Sequence, residues 1–175
     1  MTGFTVRAAS ESDLGAALSL VEAARAEVYG LDRIPEILED AARGSAEYRA
    51  SVAEHNGQCV GVGVYGLIAG TVDTATIYAV IVAKGADQYQ TGRAILNEIL
   101  SGLASVGTRL VVAEFPGHSC LTGYRALLEA TGFIEESSVE DYFEDGIPLL
   151  QYRFEITKKV SLCAVMKRPG ISGTV

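Results

Sequence analysis

Between Tyr48 and Gly70 the chain reads YRASVAEHNGQCVGVGVYGLIAG, two alternating apolar and polar runs joined by His-Asn-Gly-Gln. Asn-Gly between such runs signals a tight hairpin, because both residues accept the positive φ that matches the twist of paired strands. A third run, TATIYAVIV at 74–82, is rich in β-branched residues, so an antiparallel meander is expected. That order counts against a doubly wound nucleotide-binding fold, which needs crossover helices between parallel strands.

The flanking segments complete an α/β pattern. FTVRAA at 4–9 alternates as a strand, and Ser10 with Asp13 forms a variant capping box ahead of a helix. Leu14, Ala17, Leu18, Val21 and Val28 share one face, which predicts a helix to about Gly30, and IPEILEDAARG predicts a second ending at Gly44. After the meander, KGADQYQTGRAILNEIL turns directly into a helix with Ile95, Leu96, Ile99, Leu100 and Leu103 inward. TRLVVAEF (108–115) reads as a buried strand and SCLTGYRALLEATG as a helix with Ser119 as cap and Gly132 as stop. FIEESSVEDYFEDGIPLLQYRFEI closes with two strands around EDG. The expectation is one α/β domain over 1–157, with a mixed central sheet of about six or seven strands flanked by about four helices. Residues 158–175 form an extension that could be an edge strand, a subunit contact in a homodimer or a loose tail.

Composition narrows the function classes. An apolar content of 49% over 175 residues suits a globular domain with a substantial core. No window approaches the roughly 20 apolar residues of a membrane span, and MTGFTVRAASESD lacks a basic region followed by an apolar one, so a cytoplasmic protein is expected. Cys59, Cys120 and Cys163 are widely spaced, and His55 and His118 are the only histidines, which leaves no metal-site pattern. A net charge of -8 without a basic stripe argues against nucleic acid and mildly favours a cationic or amine-bearing partner.

A glycine-punctuated turn at a helix mouth exposes unpaired amides and a positive dipole end, so an anion such as a pyrophosphate is a natural guest. A bare surface turn is the alternative. Here DQYQTG precedes RAIL, GTVDTATIYAVIV precedes the turn, and LLEATGFIEESSVEDYFEDG supplies a Gly-Phe corner and an Asp-Tyr-Phe hairpin. In this order, over roughly Phe4 to Ile156, these strings resemble the GNAT superfamily of acyl-CoA-dependent N-acetyltransferases.

The resemblance implies transfer of an acetyl group from acetyl-CoA to a primary amine of a small molecule or peptide, with coenzyme A as the carrier and no metal. It implies that backbone amides of Gln88, Tyr89, Gln90, Thr91, Gly92, Arg93 and Ala94 hold the pyrophosphate. Backbone groups near Ile81 and Val82 would run beside the pantetheine arm, and the strand bearing Glu114 would splay away to open the reaction cleft. Glu114 is then the candidate general base, and His118 a second one. Tyr78, Asp141 and Tyr142 are candidates for the acceptor wall, although Tyr142 also suits an edge-strand aromatic packed on the core.

The chain departs from the family pattern at several points. Asp87 stands where Gln or Arg is usual, Gln90 replaces the first loop glycine, and Thr76 replaces a frequent strand glutamate. Leu128 occupies the place of the usual acid tyrosine. Tyr124, one helical turn upstream, is the substitute candidate for proton donor, or else a partly buried aromatic on an amphipathic helix. These departures keep open a non-catalytic acyl-CoA-sensing or protein-interaction module.

Overall fold

A computed structural model describes residues 3–28 and 30–156; the proposed extension at 158–175 lies outside the described residues. Strand β1 (Phe4–Ala8) leads through a 3-10 turn into helix α1 (Leu14–Arg25) and helix α2 (Ile34–Ala42). The meander follows as β2 (Tyr48–His55), β3 (Gln58–Leu67) and β4 (Thr74–Val82). Helix α3 (Gln88–Ser105), strand β5 (Leu110–Pro116), helix α4 (Thr122–Thr131) and strands β6 (Ile134–Glu144) and β7 (Ile147–Glu155) complete the described chain. The seven strands form one mixed sheet in the order β1-β2-β3-β4-β5-β7-β6, with β4 and β5 the parallel pair.

Local chemistry explains most of these elements. Asn56 and Gly57 take φ of 51° and 76° between the paired His55 and Gln58, the left-handed geometry of a two-residue hairpin. The Ser10 amide donates to the Asp13 carboxylate at 2.8 Å, and Arg7 on β1 grips the same carboxylate, so the start of α1 is tied to the sheet edge. Gly132 ends α4 at φ 104°, with the Phe133 amide bonded to the Leu128 carbonyl and the Gly132 amide to Glu129, which satisfies carbonyls that the helix leaves open.

Two helix boundaries differ from expectation. α1 stops at Arg25, short of Gly30: the Glu27 and Val28 amides both turn back to the Ala24 carbonyl, and Glu27 pairs with Lys84 just after β4. The cap before α4 is His118, not Ser119: the His118 ring accepts the Cys120 amide, and Ser119 is the first residue of the 3-10 turn.

The helices cover the sheet from both sides. On one face, α3 and α4 bury Ile95, Leu96, Ile99, Leu127 and Leu128 against Ala75, Ile77, Val111, Ala113, Phe115 and Tyr152. On the other, α1 and α2 bury Val21, Ile34, Ile37 and Leu38 against Val52, Val62, Val64 and Ala79. A Cβ on Gly63 would lie 2.5 Å from Ile95 and 2.7 Å from Ile99, so that glycine admits α3 close to β3.

Candidate active site

The parallel ladder between β4 and β5 ends at Ile77↔Ala113, although both strands continue. Beyond that point β5 remains paired with β7 to Pro116↔Leu149, and β4 with β3 to Gly61↔Val82. A bulge in the β3–β4 ladder, where Tyr78 is the extra residue, helps to turn β4 away from β5. The two strands fork, and the fork is a cleft of about 760 Å³.

Among the described residues, one wall of that cleft is an unpaired strand edge. The Ala83 amide bonds to the Val60 carbonyl on the β3 side. Main-chain groups alternate sides along a strand, so Ile81 faces β3 with Ala83, while the N–H and C=O of Val80 and Val82 face the fork. An extended chain laid there can pair with them as an added strand.

Seven of the residues marked out by the sequence line this cleft: Tyr78, Ile81, Val82, Gln88, Glu114, Tyr124 and Tyr142. Glu114 is exposed on β5 and accepts a hydrogen bond from the Gln151 side chain on β7 at 2.7 Å. Its neighbours Val111, Ala113 and Phe115 pack under α3 and α4, so strand alternation directs Glu114 to the face of α1 and α2. Tyr124 is half-buried, packed edge-on against Phe115 at 5.0 Å. Its hydroxyl has no hydrogen-bond partner among the described residues, and burial pushes its pKa well above that of an ordinary phenol. Leu128, at the place of the acid tyrosine usual in the family this sequence resembles, is fully buried in the core.

The remaining candidates lie elsewhere. Tyr89, Gln90 and Arg93 are exposed on the first turns of α3, Ala94 is half-buried, and Thr91 and Gly92 are buried. A Cβ on Gly92 would sit 2.7 Å from Leu127, so its bare backbone serves the contact between α3 and α4. Asp141 holds φ 53° and accepts the Gly146 amide at 2.7 Å, closing the β6–β7 hairpin and turning Tyr142 and Phe143 toward the cleft. His118 is engaged as the cap described above, with Nδ1 also 2.9 Å from the Cys120 sulfur.

The mouth of α3 carries a feature that sequence reading missed. Asp87 is its N-cap, and its carboxylate accepts the Gln90 amide at 3.0 Å. An aspartate three residues ahead of a first-turn amide is a recognised cap signal, and it was available in the sequence. The roof of the cleft was not. Glu27 and Lys84 form an ion pair there, and a Cβ on Gly30 would meet Phe143 at 3.8 Å, so the segment after α1 contacts both the end of β4 and β6.

No protein-family model matches the sequence, and no curated protein matches it. Solved structures do match the fold. One described as an acetyltransferase of the GNAT family from Desulfovibrio desulfuricans superposes with a TM-score of 0.76 at 22% identity, over 87% of this chain and 99% of that one. A ribosomal-protein-alanine N-acetyltransferase from Brucella melitensis gives 0.72 at 23% identity, over 87% and 99%. A structure described as an acetyltransferase from Salmonella typhimurium, solved with its cofactor acetyl-CoA, gives 0.73 at 18% identity, over 90% and 96%. The chain therefore has the GNAT acetyltransferase fold. No helix among the described residues is long and apolar enough to cross a membrane.

Proposed function

We propose that this protein is an N-acetyltransferase that moves an acetyl group from acetyl-CoA to a primary amine by direct attack. The observation that carries the reading is the fork after Ile77 and Ala113, which leaves the Val80 and Val82 main chain unpaired beside Glu114 and Tyr124 in one cleft. Bound acetyl-CoA supplies the activated acyl group. The amide C–N bond forms, the thioester C–S bond breaks, and one amine proton is delivered, net, to the leaving sulfur.

Each step has a residue suited to it. Glu114 takes a proton from the incoming ammonium, directly or through water. The amides of Val80 and Val82 pair with the pantetheine arm and donate to the thioester oxygen. Tyr124, whose hydroxyl has no partner among the described residues, stands in for the acid that Leu128 cannot provide. The fork holds the two reactants together, which lowers the barrier even where the acid is imperfectly placed.

A second reading is favoured by one observation. The Asp87 carboxylate occupies part of the anion-binding mouth of α3, as fits a module that has given up tight coenzyme A binding for sensing or protein interaction. Thermal shift with coenzyme A, followed by acetyl-CoA turnover over an amine panel with release of free thiol as readout, separates the two. Stabilisation with turnover supports the enzyme, stabilisation alone supports the sensor, and neither would remove the transferase reading.

A further inference from the structure

Among the described residues, four charged side chains line the cleft: Glu27, Arg33, Lys84 and Glu114. Glu27 and Lys84 neutralise each other. Among the described residues Glu114 accepts only from the uncharged Gln151 amide, so its charge has no counterpart there. Arg33 makes no ion pair and no side-chain hydrogen bond among the described residues. After pairing, one acid and one base are left.

Glu114 sits at the fork, and Arg33 lines the same cleft. Tyr78 and Glu114 are the first residues of β4 and β5 beyond the last paired positions, Ile77 and Ala113. Glu114 faces the side of the sheet that carries α1 and α2, and Tyr78 packs against the apolar cluster of those helices. Arg33 immediately precedes α2 on the same side and lines the same cleft as Tyr78. The rest of the described lining is mostly apolar, with Leu20, Val28, Leu31, Tyr142, Phe143 and Leu149.

Resting on the transferase reading, we propose that the acceptor is a primary amine carrying a carboxylate on an apolar skeleton, with the carboxylate held by Arg33 and the amine presented to Glu114. A guanidinium matches a carboxylate with two parallel hydrogen bonds. A simple alkylamine would instead bring its ammonium into a cleft where Arg33 stays unmatched, so charge complementarity selects against it. The chain's net charge of -8 mildly favours cationic or amine-bearing partners, but the described cleft lining holds two acids and two bases. Close charges outweigh distant ones, because salt screens beyond about 10 Å.

The test compares acceptors in pairs that share a skeleton: phenylalanine with phenethylamine, and 6-aminohexanoate with hexylamine, with free thiol as readout. In at least one pair, wild-type kcat/KM is expected to favour the carboxylate member by roughly tenfold, the low end for a charge-assisted contact because Arg33 is exposed. Arg33→Gln should collapse that preference by raising KM for the carboxylate member, with coenzyme A still producing its thermal shift. Arg33→Lys should recover part of it. Turnover of amines without a carboxylate preference in any pair, or equal KM increases for both members in Arg33→Gln, would overturn the acceptor assignment alone. Absence of turnover with every acceptor would overturn the transferase reading and this assignment with it.

Discussion

The Asp87 carboxylate accepts the Gln90 amide at 3.0 Å, so the mouth of α3 is already served by an anion from its own chain. A free phosphate at this mouth meets one fewer amide and one like charge. Serine caps nearly as well as aspartate and carries no charge. Asp87→Ser is therefore expected to tighten coenzyme A binding by about fivefold, the equivalent of roughly 1 kcal/mol of relieved repulsion near a surface. Calorimetry checks this, with the gain shrinking as salt rises. Equal affinity at low salt would place the diphosphate away from α3.

Among the described residues Glu114 is held only by Gln151, so Glu114→Gln removes the proposed base while keeping size and exposure. Turnover should fall by about 10²-fold or more, with the coenzyme A thermal shift preserved. A variant as active as wild type would take Glu114 out of its role.

Tyr124→Phe separates acid from packing. The ring contact with Phe115 at 5.0 Å is retained, so folding stability should change little near neutral pH, while kcat should drop on the order of 10- to 100-fold. Burial raises the folded pKa of Tyr124. The unfolded chain ionises first as pH climbs above about 10, so stability is intact below that pH and is lost as pH rises beyond it. Tyr124→Phe should weaken that alkaline loss, as urea titrations at pH 8 and 10.5 would reveal.

Gly92 carries a different expectation from the one its sequence position suggests. In the sequence it looks like the surviving glycine of a phosphate loop, but a Cβ there meets Leu127 at 2.7 Å, inside the contact between α3 and α4. Gly92→Ala should cost about 1 kcal/mol of stability, since the tip of Leu127 can partly yield. Leu127→Val in the same chain should relieve some of that loss. Coenzyme A affinity is expected to hold. A loss of affinity without loss of stability would return Gly92 to the phosphate site.

What the sequence made legible was set by local chemistry. The Asn56-Gly57 hairpin, the Gly132 stop and the inward face of α3 follow from turn geometry and periodicity, which act within a few residues. The cleft composition depends on contacts distant in sequence. Glu27 meets Lys84, Phe143 approaches Gly30, and Arg33 lines the same cleft as Tyr78, and no motif or spacing encodes these. Asp87 was legible as a cap but reads equally as a departure from a phosphate loop, because one carboxylate serves or spoils the same amides.

The anchor of α1 gives an acid-sensitive readout independent of the cleft chemistry. The Arg7 guanidinium, with two 2.8 Å bonds to Asp13, holds that carboxyl far below the usual carboxylate range, against the opposing effect of burial. The unfolded chain, with an aspartate pKa of about 3.9, takes up the proton first. The stabilisation is therefore fully present above the unfolded value and is lost as pH falls from about 5 toward the folded pKa. Urea midpoints at pH 7, 5 and 3.5 should decline in wild type. In Asp13→Asn the midpoint at pH 7 should start lower and decline less, so that the two curves converge in acid. Parallel curves would show that Asp13 titrates normally and that the pairing with Arg7 does not anchor the helix.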